Sequence, residues 1–202
     1  MKATSPARAA TSTPEFMVVL TQAGSTRANA RREVGTAVEA DKTAAAEVAA
    51  ARAAGGLYSE TFLLLGGRRF WSQPMHSDND VHTAILKGVA FGSLQFFLDH
   101  NIGIVDEEDV AKVLGVSTRT LRRQAETPEK AMPTDLASKT WQLAETLAKA
   151  SEVFGGKEAA QRWLSAPAVA LNGSRPIDLL QTLQGAGVVS DYLDRLEHGV
   201  YS

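Results

Sequence analysis

The sequence has no cysteine among its 202 residues. Disulfide bonds and thiolate metal sites are therefore excluded, and a reducing cytoplasm is the expected environment. Histidine is also scarce, with four copies scattered along the chain: His76, His82, His100 and His198. They lack the carboxylate–histidine spacing that a zinc site requires. We expect no metal and no cofactor.

Long apolar runs are absent as well. No run approaches the roughly 18 residues needed to span a bilayer. The apolar stretch at residues 16–20 is shorter than the apolar region of a secretory signal, which has about 7–15 residues. Excess charge of one sign is also missing, since the formal net charge is −2. Any nucleic-acid site must then be a local basic patch, and we expect no contact with membranes.

The sequence contains no recognisable set of catalytic groups. Gly66 and Gly67 precede no Lys-Ser or Lys-Thr pair, so they do not form a phosphate-binding loop. Ser117 and Ser174 lie where helix caps or turns explain them without a nucleophilic role. We therefore expect that this chain is not an enzyme.

Composition divides the chain into three parts. Residues 1–56 form an Ala-rich extension, which we expect to be partly disordered or helical, with a helix over residues 27–54 because alanine has the highest helix propensity. Two folded parts follow, at residues 57–131 and 132–202, and residues 127–131 between them look like a linker. No alternating strand pattern of convincing length occurs, so the predicted fold class is all-α.

The spacing of apolar residues predicts one long helix in the second part. Asp80 is its expected N-cap, and the helix would run to about Asp99. Gly88 and Gly92 would then lie inside the helix, where glycine costs about 1 kcal/mol relative to alanine. We expect close packing against another helix to compensate for that cost.

Residues 106–125 have the spacing of a helix-turn-helix. Asp106 is the expected N-cap of the first helix, Gly115 would take the positive φ of a tight turn, and Ser117 would cap the second helix. Leu121 would fill the space between the two helices. The inner face of the first helix is formed by small or apolar residues: Val110, Ala111 and Leu114.

The outer face of the second helix is basic. Arginine pairs with guanine edges or grips phosphates, and hydroxyl side chains contact either. The residues predicted to bind DNA are Ser117, Thr118, Arg119, Arg122 and Arg123. The alternative is a solvated helix pair whose basic face has no nucleic-acid partner.

The third part is typical of a compact helical module. Its first helix is indicated by apolar residues at helical spacing: Leu143, Leu147, Ala150 and Phe154. A short helix over residues 158–164 follows and stops before Pro167. Another helix begins at Pro176, where the missing N–H costs little, and we expect Gly185 to end it. The residues expected to face inward from that helix are Leu179, Leu180 and Leu183.

Four segments, in this order, resemble the Xre/MbcA/ParS antitoxin family, whose partners are RES-domain toxins. They are VLGVSTRTLRRQ (113–124), ASEVFGGKEAAQRWLSAP (150–167), LNGSRPIDLLQTLQGAGVV (171–189) and YLDRLEHGVYS (192–202). The resemblance covers residues 106–202 closely and residues 80–105 loosely, and it excludes residues 1–55.

The resemblance implies an architecture and a function. The fold would be all-α, with a helix-turn-helix-containing N-terminal domain followed by a compact helical toxin-binding domain. RES-domain toxins attack NAD, either degrading it or using it to ADP-ribosylate a target. The antitoxin would occlude the toxin's NAD site and repress its own operon through the helix-turn-helix. The expected partners are the cognate RES-domain toxin, operator DNA, and a second copy of the chain within a toxin–antitoxin hetero-oligomer.

The last helix and the tail after it are the predicted contact with the toxin. Because the pyrophosphate of NAD is negatively charged, acidic side chains and a terminal carboxylate would take its place in the toxin's cleft. Leu193 and Leu196 would anchor the helix, and the tail would leave it at Gly199. The predicted toxin-binding residues are Asp191, Leu193, Asp194, Leu196, Glu197, His198, Gly199, Val200, Tyr201 and Ser202.

Two other classes of protein stay open at this stage. A stand-alone helix-turn-helix regulator would use the third part for dimerisation only, and an adjacent gene for a RES-domain protein would distinguish the antitoxin from it. An enzyme would have to be supported by measured turnover. The sequence does not distinguish a toxin that degrades NAD from one that ADP-ribosylates a protein.

Overall fold

The structure is a computed structural model, and it describes residues 56–199. Nine α-helices and two short 3-10 turns make up this part of the chain, and no β-strand occurs within it. The prediction of an all-α fold is confirmed. The helix predicted over residues 27–54 and the tail at residues 200–202 lie outside the described residues.

The helices follow one another through short connections. They are α1 (Leu57–Leu64), α2 (Asp78–Lys87), α3 (Phe91–Asn101), α4 (Glu107–Leu114), α5 (Thr118–Ala125), α6 (Thr134–Phe154), α7 (Lys157–Ser165), α8 (Pro176–Leu179) and α9 (Leu183–Glu197). The 3-10 turns are Gly67–Arg69, between α1 and α2, and Val169–Leu171, between α7 and α8.

The longest helix, α6, lies at the centre of the fold. It has 21 residues, and helices α1, α2, α4, α7 and α9 all pack against it. The buried apolar residues form one continuous core, in which the rings of Trp71 and Trp141 meet edge to face with centroids 5.3 Å apart. These rings come from opposite sides of the division predicted between residues 131 and 132. That division into two domains stays a prediction, and the core extends across it.

The helix predicted from Asp80 to Asp99 is in fact two helices, and the residue that caps the first is Ser77. Ser77 Oγ accepts a hydrogen bond of 3.3 Å from the backbone N–H of Asp80, and its hydroxyl donates one of 2.9 Å to Asp80 Oδ2. The Ser77 hydroxyl and the backbone N–H of His76 hold the pKa of Asp80 below its usual value. Asp80 lies in the first turn at the position of a capping-box acid, but its carboxylate accepts from the Ser77 hydroxyl and the backbone N–H of His76.

The break between α2 and α3 falls at Gly88, which has a φ of +99°, a conformation that other residues rarely adopt. The backbone carbonyls of Pro128 and Lys130 accept hydrogen bonds of 2.7 Å and 2.8 Å from the first N–H groups of α3. Those N–H groups have no partner within their own helix. The stretch that looked like a linker in the sequence therefore caps α3, which explains why a new helix begins there.

Gly92 allows close packing, but its neighbour is the ring of Phe70, which follows the first 3-10 turn, and not another helix as expected. A Cβ atom there would lie 2.5 Å from the ring of Phe70, so a side chain would overlap it. Gly88 has a different role, because it ends α2 and does not lie inside a helix.

The prediction that Gly185 ends a helix is wrong. Helix α8 stops at Leu179, and Thr182 Oγ1 caps a new helix by accepting a 3.1 Å hydrogen bond from the N–H of Gly185. Gly185 is buried in the first turn of α9, where a Cβ atom would lie 2.1 Å from the carbonyl oxygen of Leu179. Because a new helix starts here, Leu183 points outward and is 78% exposed. The inward position predicted for Leu183 is also wrong, whereas Leu180 is buried as expected.

Replacing Gly185 by alanine is expected to lower the free energy of unfolding by about 1–3 kcal/mol, because the added methyl group would overlap the Leu179 carbonyl. Gly187→Ala is the matched control in the same helix. Apart from the helix's own backbone and the two adjacent residues, no atom lies within 4 Å of a Cβ at Gly187, so the helix propensity of alanine should add about 0.5–1 kcal/mol to the free energy of unfolding. Urea unfolding followed by circular dichroism measures both variants. Equal effects of the two substitutions would contradict the contact assigned to Gly185.

Candidate functional site

Two short helices, α4 and α5, carry the residues predicted to bind DNA. The chain turns between them at Gly115. The backbone φ there is +70°, a conformation that favours glycine. Ser117 Oγ then accepts a 3.1 Å hydrogen bond from the backbone N–H of Thr120 and caps α5. Leu121 is buried. The predicted positions of the turn, the cap and the buried leucine are confirmed.

Arg122 is bound to the first helix of this pair. Its guanidinium donates two hydrogen bonds to the carboxylate of Glu107, from Nη2 to Oε2 at 2.8 Å and from Nε to Oε1 at 3.2 Å. The guanidinium holds the pKa of Glu107 below its usual value. Both side chains are largely exposed, so the pair adds little to stability. Its main effect is to turn Arg122 toward the N-terminal end of α4.

Arg119 and Arg123 are exposed on α5, and Thr118 is half-buried beside them. Neither arginine forms an ion pair or hydrogen bond with any residue in the described part of the chain. Lys112, by contrast, is paired with Glu108 at 3.3 Å and with Asp109 at 3.4 Å. Of the three arginines predicted to contact DNA, Arg119 and Arg123 therefore have no competing partner within residues 56–199.

Arg175 connects this helix pair to the C-terminal module, a role that the sequence analysis missed. Its guanidinium donates to both carboxylate oxygens of Asp109 in α4, at 2.8 Å and 3.2 Å. It also donates two hydrogen bonds of 2.7 Å to Asp178 in α8. The side chain of Asp109 is only 9% exposed, and the Arg175 guanidinium holds its pKa below the usual value. The signal in the sequence was an arginine directly before the helix-starting Pro176.

Two further polar contacts connect the C-terminal module to the end of α3 and the turn after it. The side-chain oxygen of Gln161 in α7 accepts hydrogen bonds of 2.7 Å and 2.8 Å from the backbone N–H groups of Gly103 and Ile104. Lys157, also in α7, donates a 2.9 Å hydrogen bond to the side chain of Asn101 in α3. Buried polar groups of this kind fix the orientation of packed helices, because each is costly to leave without its partner.

The last helix, α9, carries five of the ten residues predicted to bind the toxin. Leu193 is fully buried, so it holds the helix in place and is not available to a partner. Asp194 forms an ion pair with Lys149 of α6, whose ammonium group also donates a 3.1 Å hydrogen bond to Ser190. Lys149 is itself only 13% exposed. These contacts attach α9 firmly to the central helix.

The C-terminal end of α9 is exposed and carries charges of both signs, including Arg195. Asp191, Glu197 and His198 are exposed, and Leu196 is half-buried. The chain leaves the helix at Gly199, as predicted, where the backbone φ is +66°. Val200, Tyr201 and Ser202 lie outside the described residues.

Metal-binding clusters and membrane-spanning helices are both absent from residues 56–199. No group of three or more histidine, aspartate or glutamate side chains lies close enough within residues 56–199 to hold a metal ion. None of the helices in this range has both the length and the apolar character needed to cross a membrane.

Comparison with known proteins identifies the C-terminal region. Residues 149–199 match the family model described as the antitoxin Xre/MbcA/ParS C-terminal toxin-binding domain. The Prs ADP-ribosylating antitoxin of Sphingobium sp. (strain YBL2) is 31% identical over 128 residues, which cover 58% of this chain and 78% of that relative. The antitoxins Xre of Yersinia enterocolitica and Pseudomonas putida are 30% and 29% identical, over 48% and 61% of this chain and 66% and 74% of their own.

These matches define the chain as an antitoxin of a toxin–antitoxin system. It belongs to the Xre/MbcA/ParS antitoxin family. The matched region runs from the C-terminal end of α6 to the end of α9, so it contains both Arg175 and the exposed end of α9.

Asp109→Asn is expected to lower the free energy of unfolding by about 1.5–3 kcal/mol at neutral pH, because it weakens a buried, charge-assisted contact with Arg175. Since folding depresses the pKa of Asp109, its stabilising effect is present above the ordinary value of 3.8 and is lost as the pH falls through the lowered value. The difference between wild type and variant should therefore shrink in acid. Urea unfolding across the range from neutral to strongly acidic pH measures it.

The control for this substitution is Glu107→Gln, which weakens the exposed pair with Arg122. Because that pair is solvated, a change of only about 0–1 kcal/mol is expected. An Asp109→Asn variant no less stable than Glu107→Gln would contradict the role assigned to the Arg175 contact.

Proposed function

We propose that this antitoxin binds a RES-domain toxin and occludes its NAD site with the end of α9 and the tail after it. The proposal rests on one observation above all. Two acidic side chains, Asp191 and Glu197, are exposed at the end of a helix within the region that matches a toxin-binding domain, with the exposed Arg195 between them in sequence. A site for NAD must attract a negatively charged pyrophosphate, and acidic groups complement such a site.

Rigid attachment of α9 supports this mechanism. The apolar side of the helix is buried through Val189 and Leu193, and Lys149 binds its polar side through Asp194 and Ser190. A helix held in this way presents its end to a partner without a large loss of conformational entropy. The antitoxin itself carries out no chemistry, and the cytoplasm, where NAD is consumed, is the proposed place of action.

We further propose that α5 binds operator DNA and that the antitoxin represses its own operon, acting as a homodimer within the hetero-oligomer. The support is geometric and electrostatic. Arg119 and Arg123 are exposed on a capped helix and have no ionic partner in the described part of the chain. Arginine side chains on such a helix contact phosphates or guanine edges. The contact of Arg122 with Glu107 makes Arg122 a supporting residue of this surface.

Deleting residues 198–202 is expected to reduce inhibition of the toxin much more than it reduces binding, because α9 and its attachment to α6 stay intact. The assay measures NAD consumption by the co-expressed neighbouring toxin in the presence of saturating antitoxin. Calorimetry gives the affinity of the same pair, and the full-length chain is the reference. Complete inhibition by the truncated chain would mean that the tail is not the inhibitory segment.

The double variant Arg119→Ala/Arg123→Ala is expected to lose operator affinity, by about 1–3 kcal/mol for each base contact removed, or to show a flatter dependence on salt if phosphates are contacted. Arg122→Ala is the matched control on the same helix and should have a smaller effect, because that guanidinium is engaged by Glu107. Fluorescence anisotropy with DNA from upstream of the gene, with and without toxin, measures both. Equal affinities for the double variant and wild type would exclude DNA contact through these two side chains.

A further inference from the structure

The first turn of α4 is acidic, although it adjoins the helix proposed to bind DNA. Three carboxylates follow one another there: Glu107, Glu108 and Asp109. Asp109 contacts the C-terminal module, and Glu108 contacts a lysine of α4 itself. Glu107 is the one that reaches across to α5, where it binds Arg122. This contact places a negative charge beside a helix whose proposed ligand is also negative.

The pair of Glu107 and Arg122 lies at the surface proposed to bind DNA. Arg122 and Arg123 are three and four residues after Arg119 in α5, so each is a neighbour of Arg119 on the helix surface. The groove between α4 and α5 is lined by Glu107 and Arg122 together with Thr118, another residue predicted to bind DNA. The carboxylate of Glu107 is therefore part of the same surface as these side chains.

The geometry of the pair occupies the part of Arg122 that would bind a phosphate. The Nε and Nη2 groups donate to the two oxygens of the Glu107 carboxylate, at 3.2 Å and 2.8 Å. Arginine binds carboxylates and phosphates alike through two parallel N–H groups of this kind. Because Glu107 engages one such pair of N–H groups and neutralises the charge, a DNA phosphate has to compete with it.

The stability of the fold does not account for the pair. The side chains of Arg122 and Glu107 are 74% and 43% exposed, and ion pairs between exposed side chains stabilise a protein only weakly. The positive end of the α4 dipole is also served by Glu108 and Asp109 in the same turn. An exposed pair of this kind can be broken by a competing ligand.

We propose that Glu107 limits the affinity of the antitoxin for DNA, because its carboxylate competes with DNA phosphates for the guanidinium of Arg122. This inference rests on the proposed binding of DNA by α5. Phosphate contacts supply the part of the affinity that does not depend on sequence. Glu107 thus weakens binding to any DNA, and it acts through Arg122 as a positioning residue. Arg119 and Arg123, which have no such competitor in the described part of the chain, then carry more of the contact.

The test measures DNA affinity by fluorescence anisotropy over a range of salt concentrations, with the full chain alone and with the toxin encoded next to it. The probes are DNA from upstream of the gene and a scrambled version of the same length. Glu107→Gln is expected to bind both probes about 2–5-fold more tightly, since an exposed ion pair no longer competes for Arg122. One additional phosphate contact should also steepen the dependence of log K on log salt by about 0.9.

Glu108→Gln is the matched control, because it removes the same charge from the adjacent position in α4. Glu108 contacts Lys112, which keeps its second partner, Asp109, at 3.4 Å. The affinity and salt dependence of this variant should therefore stay close to those of wild type. In an Arg122→Ala background, Glu107→Gln should have no larger effect than Glu108→Gln, because no guanidinium remains to be released.

Several outcomes would overturn the inference. Equal gains for Glu107→Gln and Glu108→Gln would assign the effect to net charge alone, and a gain that persists in the Arg122→Ala background would rule out release of the guanidinium. A gain confined to the upstream sequence would mean that Arg122 reads a base and not a phosphate.

The same measurements distinguish this inference from the proposed function. If Arg119→Ala/Arg123→Ala loses affinity but Glu107→Gln binds DNA as wild type does, only the role of Glu107 is wrong. If wild type binds no DNA, or binds it no better than Arg119→Ala/Arg123→Ala, the proposed contact through α5 fails, and the inference fails with it.

Discussion

The structure depends on the burial of one long helix. Helix α6 has 21 residues, which corresponds to a length of about 32 Å, and five other helices pack against it. Because hydrophobic burial is non-directional, this core supplies cohesion but does not by itself set the angle at which each helix lies. Because the sequence has no cysteine, no disulfide bond stabilises the fold. The described part of the chain is therefore held together mainly by its shared apolar core.

The orientation of the surrounding helices is set by a few polar contacts. Arg175 joins α4 to α8 through two carboxylates, Gln161 fixes the turn after α3, and Lys149 holds α9. Each contact is directional, and each leaves a poorly solvated group without a partner if it is lost. Together they keep the proposed DNA-binding helix pair and the toxin-binding domain in a defined relation, although the two surfaces are formed by different residues.

The features that the sequence predicted correctly are local ones. A capping serine such as Ser117 acts within a few residues, so its position can be recognised from spacing. Local reasoning was not always enough, because the cap predicted at Asp80 is in fact Ser77, three residues earlier. Other features depended on how the chain turns or on partners that are far away in sequence. Gly185 is needed because the backbone carbonyl of Leu179 lies against it. That contact exists only after the chain has turned between α8 and α9, so the spacing of residues does not reveal it. Similarly, Arg122 looks like any exposed arginine until the crossing of α4 and α5 brings Glu107 within reach. For the same reason Arg175 went unnoticed, since its partner Asp109 is distant in sequence.

The continuity of the core across residues 131 and 132 has a consequence for how the antitoxin is lost in a cell. A domain with one core unfolds cooperatively, so its parts do not melt one after another. A protease that captures the unfolded chain would then remove the proposed toxin contact and the proposed DNA contact in a single event. Under the proposed function, release of the toxin and renewed transcription of the operon would start together. The timing of both would be governed by the stability of the packing around α6.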